Sequence, residues 1–156
     1  MLIVDTHVHV ALHTYDPIEM LLTQMQYNNV DKTTLVQSST TTDNTYVIEC
    51  KRRFPQRVAV VCRVDVDSPH ALADLEHWHR EGADSVRLRN FHRSPGSDPL
   101  AIWRKAEELG MPVSAGRALS TEIPWRHRQC LGRPMRATRR NRLPAPSSST
   151  PQWVAN

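Results

Sequence analysis

The chain has 156 residues, 39% of them hydrophobic, and carries 20 Lys+Arg against 16 Asp+Glu for a formal charge of +4. That length suits a single domain with a real core, and no stretch approaches the roughly 18 uninterrupted apolar residues of a membrane span, so no membrane partner is expected. The charge is divided unevenly: residues 1–116 hold 12 Lys+Arg and 15 Asp+Glu, a balance of −3, whereas residues 117–156 hold eight arginines, no lysine and only Glu122, a balance of +7.

Apolar or β-branched runs occur at Leu2–Val4, Thr33–Gln37, Val58–Val64, Ser85–Leu88 and Met111–Ser114. They recur every 25 to 30 residues with a helical pattern in each gap. Continuous runs such as "VAVVCRV" suit the strands of a parallel sheet. In "YDPIEMLL" the expected helix start is Asp16 as cap, Pro17 at the first helical position and Glu19 as its capping-box partner. A helix over about Asn44–Phe54 is expected to begin from Thr42 or Asp43. "DSPHALADL" and "SDPLAIW" repeat the first device with Ser68–Pro69 and Asp98–Pro99, and Gly82 and Gly110 stand where two helices should stop. Leu72, Leu75 and Trp78, then Leu100, Trp103 and Ala106, keep the helical period, which makes the two tryptophans core residues. The order β-α-β-α-β-α-β-α-β implies parallel strands with right-handed crossovers: an α/β chain with about four to five βα units of a (β/α)8 TIM barrel.

From Arg117 onward the pattern ends. Prolines at 124, 134, 144, 146 and 151, the stretch "RPMRATRRNR" and the low-complexity "PAPSSSTPQ" leave few aliphatics to offset the entropy of ordering. Residues 117–156 are expected to be a disordered or out-of-frame tail on a truncated barrel. The tail lacks the interleaved aromatics and motifs of a nucleic-acid binder, so a nucleic-acid partner is not expected. Cys50, Cys62 and Cys130 are odd in number and without paired spacing, which fits a reducing cytoplasm better than a disulfide framework. The N-terminus lacks the basic region of a secretory signal, since Asp5 breaks its apolar run at once.

The chemistry centres on "MLIVDTHVHV". On a regular strand, Asp5, His7 and His9 share one face. In a parallel barrel that face is the interior, near the strand's C-terminal end where active sites sit. Two imidazoles so spaced can reach one divalent cation, and an aspartate earlier on that face could orient a ligand from behind it. An HxH by itself is a weak signal that chance or a solvated pair also explains; its position at the end of the first apolar run, ahead of four βα units, strengthens it.

The stretch "IVDTHVHV" resembles the first strand of the amidohydrolase superfamily, and more narrowly its amidohydrolase-related (amidohydrolase 2) group, which includes decarboxylases and lactonases such as 2-pyrone-4,6-dicarboxylate lactonase. The likeness continues through "LVQSSTTTDNTYVIECKRRFPQRVAVVCRVD", "REGADSVRLRN" and "WRKAEELGMPVSAG", over about residues 1–116. It implies a metal-dependent hydrolase, or a lactonase or decarboxylase relative, acting on a small carboxylated or cyclic organic molecule. His7 and His9 become metal ligands, with zinc the first expectation and a metal-free site the alternative, because some lactonase-like relatives keep this HxH and need no ion. Arg87 and Arg89 become binders of a substrate carboxylate, a role a guanidinium fork suits. Asp5 keeps its supporting role. Ser38 and Ser39 could line the same mouth, His13 and His92 are weaker loop candidates, and His70, His77 and His79 read as helix residues.

Departures from the family pattern are equally plain. Its further ligands come from later strands: histidines on the fifth and sixth and an aspartate on the eighth. Here the fifth strand, "PVSAG", has no histidine, and His127 in "PWRHRQC" has no strand around it. The competing expectation is therefore a catalytically inactive copy, self-associating through open sheet edges.

Overall fold

Five strands alternate with four helices in the computed structural model, which describes residues 1–89 and 91–116. The order is β1 (Val4–Val8), α1 (Ile18–Tyr27), β2 (Lys32–Val36), α2 (Thr45–Arg53), β3 (Val58–Cys62), α3 (Ala71–Glu81), β4 (Ser85–Arg89), α4 (Ala101–Glu108) and β5 (Val113–Gly116). All neighbouring strands pair in parallel in the sequential order β1-β2-β3-β4-β5, which is a curled part of a (β/α)8 barrel sheet. The expected arginine-rich tail, with His127 and Cys130, lies outside the described residues.

Alternation divides each strand between two environments. Leu35, Val58, Val60, Cys62, Val86 and Leu88 enter one cluster with Ile18, Leu21, Val47, Leu75, Ile102 and Ala106 from the helices. Leu35, Val60, Val86 and Leu88 are completely buried there. The intervening residues fall on the opposite, concave face, where the register lines up Val36 with Val61, Val61 with Ser85, Arg87 with Ser114 and Arg89 with Gly116. Burial of the aliphatic face stabilises each strand by roughly 1.5–3 kcal/mol per large side chain.

The helix starts use the expected residues but not as caps: α2, α3 and α4 begin from Asn44, His70 and Leu100, none with a side-chain cap bond. Asp98 Oδ1 accepts the Leu100 N–H (3.0 Å) and Ser68 Oγ accepts the His70 N–H (3.1 Å), one residue before α4 and α3 begin. Asp43 Oδ1 accepts from the Thr45 N–H at the start of α2. The first helix differs. Asp16 does not cap it: its carboxylate accepts the Gln24 side-chain amide, and the Ile18 N–H is bonded to the Tyr46 hydroxyl of α2 (3.1 Å). Glu19 closes no capping box and instead pairs with Arg53. A tertiary donor–acceptor pair and an interhelical ion pair replace the local device. Gly82 ends α3 at φ +110°, a conformation that a side chain would strain.

Cys50 and Cys62 are buried, and burial raises their thiols to about 11 and about 12. Trp78 and Trp103 pack partly buried against the core, as their spacing implied. Among the described residues, no helix is long and apolar enough to cross a membrane.

Asn44, completely buried, is a polar clasp between the two loops at the outgoing ends of β2 and β3. Its amide donates to the carbonyls of Thr42 and Arg63 (both 2.9 Å), and its Oδ1 accepts the Arg63 N–H (2.9 Å). Asn44→Ala leaves three part-buried backbone groups without their partner and should lower unfolding free energy by about 3 kcal/mol in urea denaturation, whereas exposed Glu49→Ala should stay within about 0.5 kcal/mol.

Candidate functional site

The register slips by one residue in β1. Asp5 pairs with Thr33 and Val8 with Leu35, so three steps of β1 match two of β2, a bulge at the strand that carries the histidines. Val8 therefore packs toward the core on the side of Leu35, and its neighbours His7 and His9 fall on the concave face. The expected three-residue face is a two-residue face. Asp5 pairs in register with Thr33 on the opposite parity, and its carboxylate accepts the His7 backbone N–H (3.1 Å) instead of an imidazole N–H.

The two imidazoles meet edge to face with ring centroids 5.1 Å apart. His9 Nδ1 lies 2.6 Å from the Val36 carbonyl. A carbonyl only accepts, so Nδ1 carries the proton, and the lone pair of the neutral ring sits on Nε2. Burial, then the charges of His9 and Arg87, hold the His7 pKa below the ordinary histidine value, with Asp5 opposing weakly. His7 is thus favoured in its neutral form, the form that binds a metal. The pair supplies half of a tetrahedral donor set. Among the described residues no group of three or more His, Cys, Asp or Glu side chains is placed to hold a metal ion.

Arg87 reaches across the sheet to donate from Nη1 to the Gln37 carbonyl at the end of β2 (3.0 Å). Arg89, on the same face, is exposed, and its guanidinium lies over the Phe91 ring at 5.8 Å. Burial, followed by the charges of Arg89 and Arg63, lowers the Arg87 pKa from the usual arginine value. Among the described residues, no ion pair neutralises Arg63, Arg87 or Arg89.

The other candidates scatter. Ser38 is buried and bonded to Thr40 Oγ1 (2.6 Å), while Ser39 is exposed. His13 is exposed and lines a neighbouring cavity of about 270 Å³ with Leu12, Gln37 and Tyr46. His70, His77 and His79 lie at or in α3, the helix that connects β3 and β4. His92 stands closer to the arginines: its Nδ1 accepts the Arg89 N–H (3.2 Å), its carbonyl accepts the Trp103 indole N–H (3.1 Å), and burial, Arg89 and Arg63 depress its pKa against Asp67. Two residues escaped the sequence reading. Tyr15 lies with its ring 5.2 Å from that of His9 and within electrostatic reach of Arg87. Arg63, just beyond β3, donates from Nη1 to the Thr41 carbonyl (3.0 Å). Only the parity of Arg63 with Val61 could have signalled it.

His92 yields a pH prediction. A histidine with a depressed folded-state pKa binds fewer protons folded than unfolded, so its contribution is complete above the unfolded value and is lost as pH falls through the folded value. The melting temperature should fall from neutral pH toward pH 5, and His92→Asn should make that acid-side slope shallower.

No protein-family model and no curated protein matches the chain. Solved structures do. A probable 2-pyrone-4,6-dicarboxylic acid hydrolase from Acinetobacter baumannii, with citric acid bound, aligns with a TM-score of 0.55 at 22% identity, over 74% of this chain and 49% of that one. An Agrobacterium tumefaciens protein in its apo form gives 0.54 at 18% identity, over 72% of this chain and 47% of that one. A 2,6-dihydroxybenzoate decarboxylase complexed with 2,6-dihydroxybenzoate gives 0.53 at 14%, over 72% and 48%. The chain spans about half the length of each of these structures. The likeness shows the fold, a partial barrel of the kind these proteins share, and these neighbours come from the amidohydrolase-related group that the sequence resembles.

Proposed function

We propose that this chain carries part of the active site of an amidohydrolase-related enzyme, a metal-dependent hydrolase or a lactonase or decarboxylase relative, whose substrate is a small carboxylated organic molecule. One observation carries the reading: two imidazoles and an arginine converge on the concave face, with the Arg87 charge felt at His7. His7 and His9 would hold a divalent ion, zinc by their donor chemistry, and the ion when bound supplies a Lewis acid and an acidified water. The Val36 carbonyl fixes the His9 ring with Nε2 as its free donor. Asp5 steadies the bulge by holding the His7 backbone. Arg87 meets the substrate carboxylate and positions it, and Arg89 adds a second cation at the rim. The neighbours named for a dicarboxylic acid and a dihydroxybenzoate, one of them with citric acid bound, support an anionic substrate.

A second reading is a catalytically inactive copy of the same fold. It is favoured by the two-donor metal set among the described residues. Elemental analysis of the purified chain separates the two. The active reading expects about one zinc per chain, lost in both His7→Ala and His9→Ala with unchanged circular dichroism. Equal metal content in the variants and the parent would overturn it.

A further inference from the structure

Arg63 has no place in the reading of the sequence, yet its surroundings are those of a binding group. Val61 pairs with Ser85 and Cys62 with Val86, and continuing that register sets Arg63 beside Arg87 at the outgoing ends of β3 and β4. Both guanidiniums turn over the loop that leaves β2. Arg87 Nη1 donates to the Gln37 carbonyl and Arg63 Nη1 to the Thr41 carbonyl, four residues further on, each at 3.0 Å. Among the described residues these are their only side-chain hydrogen bonds, so most of the five N–H donors of each fork are left for another acceptor.

Like charges set side by side on a sheet destabilise it. This one is nonetheless held in place, because the buried Asn44 clasps both the N–H and the carbonyl of Arg63. Arg63 is half-buried, as is Arg87, so bulk water screens the repulsion only in part. A single carboxylate satisfies one fork bidentately. Two adjacent forks, with Arg89 behind them, suit a ligand bearing two carboxylates on one rigid frame.

We propose that Arg63 is a specificity residue that binds the second carboxylate of a dianionic substrate, with Arg87 holding the first. This rests on the anionic-substrate reading above and narrows it from a carboxylated molecule to a dicarboxylate.

The test is a calorimetric titration of the full chain with isophthalate and with benzoate, which share a ring and differ by one carboxylate. The parent should bind isophthalate roughly tenfold more tightly than benzoate. Arg63→Gln should erase that preference, weakening isophthalate by about tenfold and leaving benzoate within about twofold. Arg87→Gln should weaken both. If Arg63→Gln loses its circular dichroism signal, Arg63→Lys takes its place: a point charge retains binding without the fork, so isophthalate should weaken by roughly threefold to tenfold while benzoate holds. Arg63 variants that lose both ligands equally, or neither, overturn the assignment of Arg63 and leave the anion site standing. A parent chain that binds neither ligand overturns the anion site, and this assignment with it.

Discussion

The pairing of Val8 with Leu35 is the constraint on which the candidate site depends. Leu35 is completely buried in the helix-facing core, and Val8 packs against that core as its partner in β1. Once Val8 is committed inward, the pleat sends His7 and His9 outward to the concave face, whatever precedes them. Upstream, Asp5 must pair with Thr33, and the extra residue between the two pairings is accommodated as a bulge whose His7 N–H is satisfied by the Asp5 carboxylate. A hydrophobic contact on one side of the sheet thus determines the imidazole geometry on the other. Sliding β1 by one residue would bury the imidazoles and expose Val8, which the core strongly opposes.

The electrostatics follow from the same division of faces. The helix side of the sheet is aliphatic, so polar side chains of the strands gather on the concave side and at the outgoing ends. Ion pairs elsewhere join elements: Lys105 of α4 reaches Glu76 of α3, and Arg53 of α2 reaches Glu19 of α1. At the concave face the pattern reverses. Arg63, Arg87 and Arg89 are anchored through carbonyls, a ring face and the backbone, and their carboxylate requirement is met by no ion pair among the described residues. Confined positive charge in a concavity raises the local concentration of small anions.

Much of this architecture was legible in the sequence because its signals are local. The alternation of short apolar runs and helical periods gave five strands and four helices in the right order, whereas Ser68 and Asp98 stand two residues ahead of the caps, His70 and Leu100, and bond only the N–H of those residues. Asp16 misled because the same side chain that can cap a helix also suits a long-range partner; Tyr46, 28 residues away, supplies the bond instead. The bulge was invisible for a related reason: strict two-residue spacing assumes a regular strand, and register is a property of the partner strand as well. His7 and His9 share a face because both flank Val8, whereas Asp5 lies on the far side of the slip. Tyr15 was missed because its proximity to His9 is created by a loop that no periodicity encodes, and Arg63 because its parity with Val61 says nothing of its neighbour until β3 is paired with β4.

The two enclosed sulfurs carry a different consequence. With Cys50 at about 11 and Cys62 at about 12, fewer than about one thiol in a thousand is ionised near neutrality, and only the ionised form attacks an electrophile. Alkylation at these positions must wait for the layers around them to part. Cys62 lies at the end of β3 and Cys50 on α2, so their rates of modification report separately on how often the strand and the helix come away from one another. The chain carries its own clock for local opening, and its Cys62 sensor directly precedes Arg63.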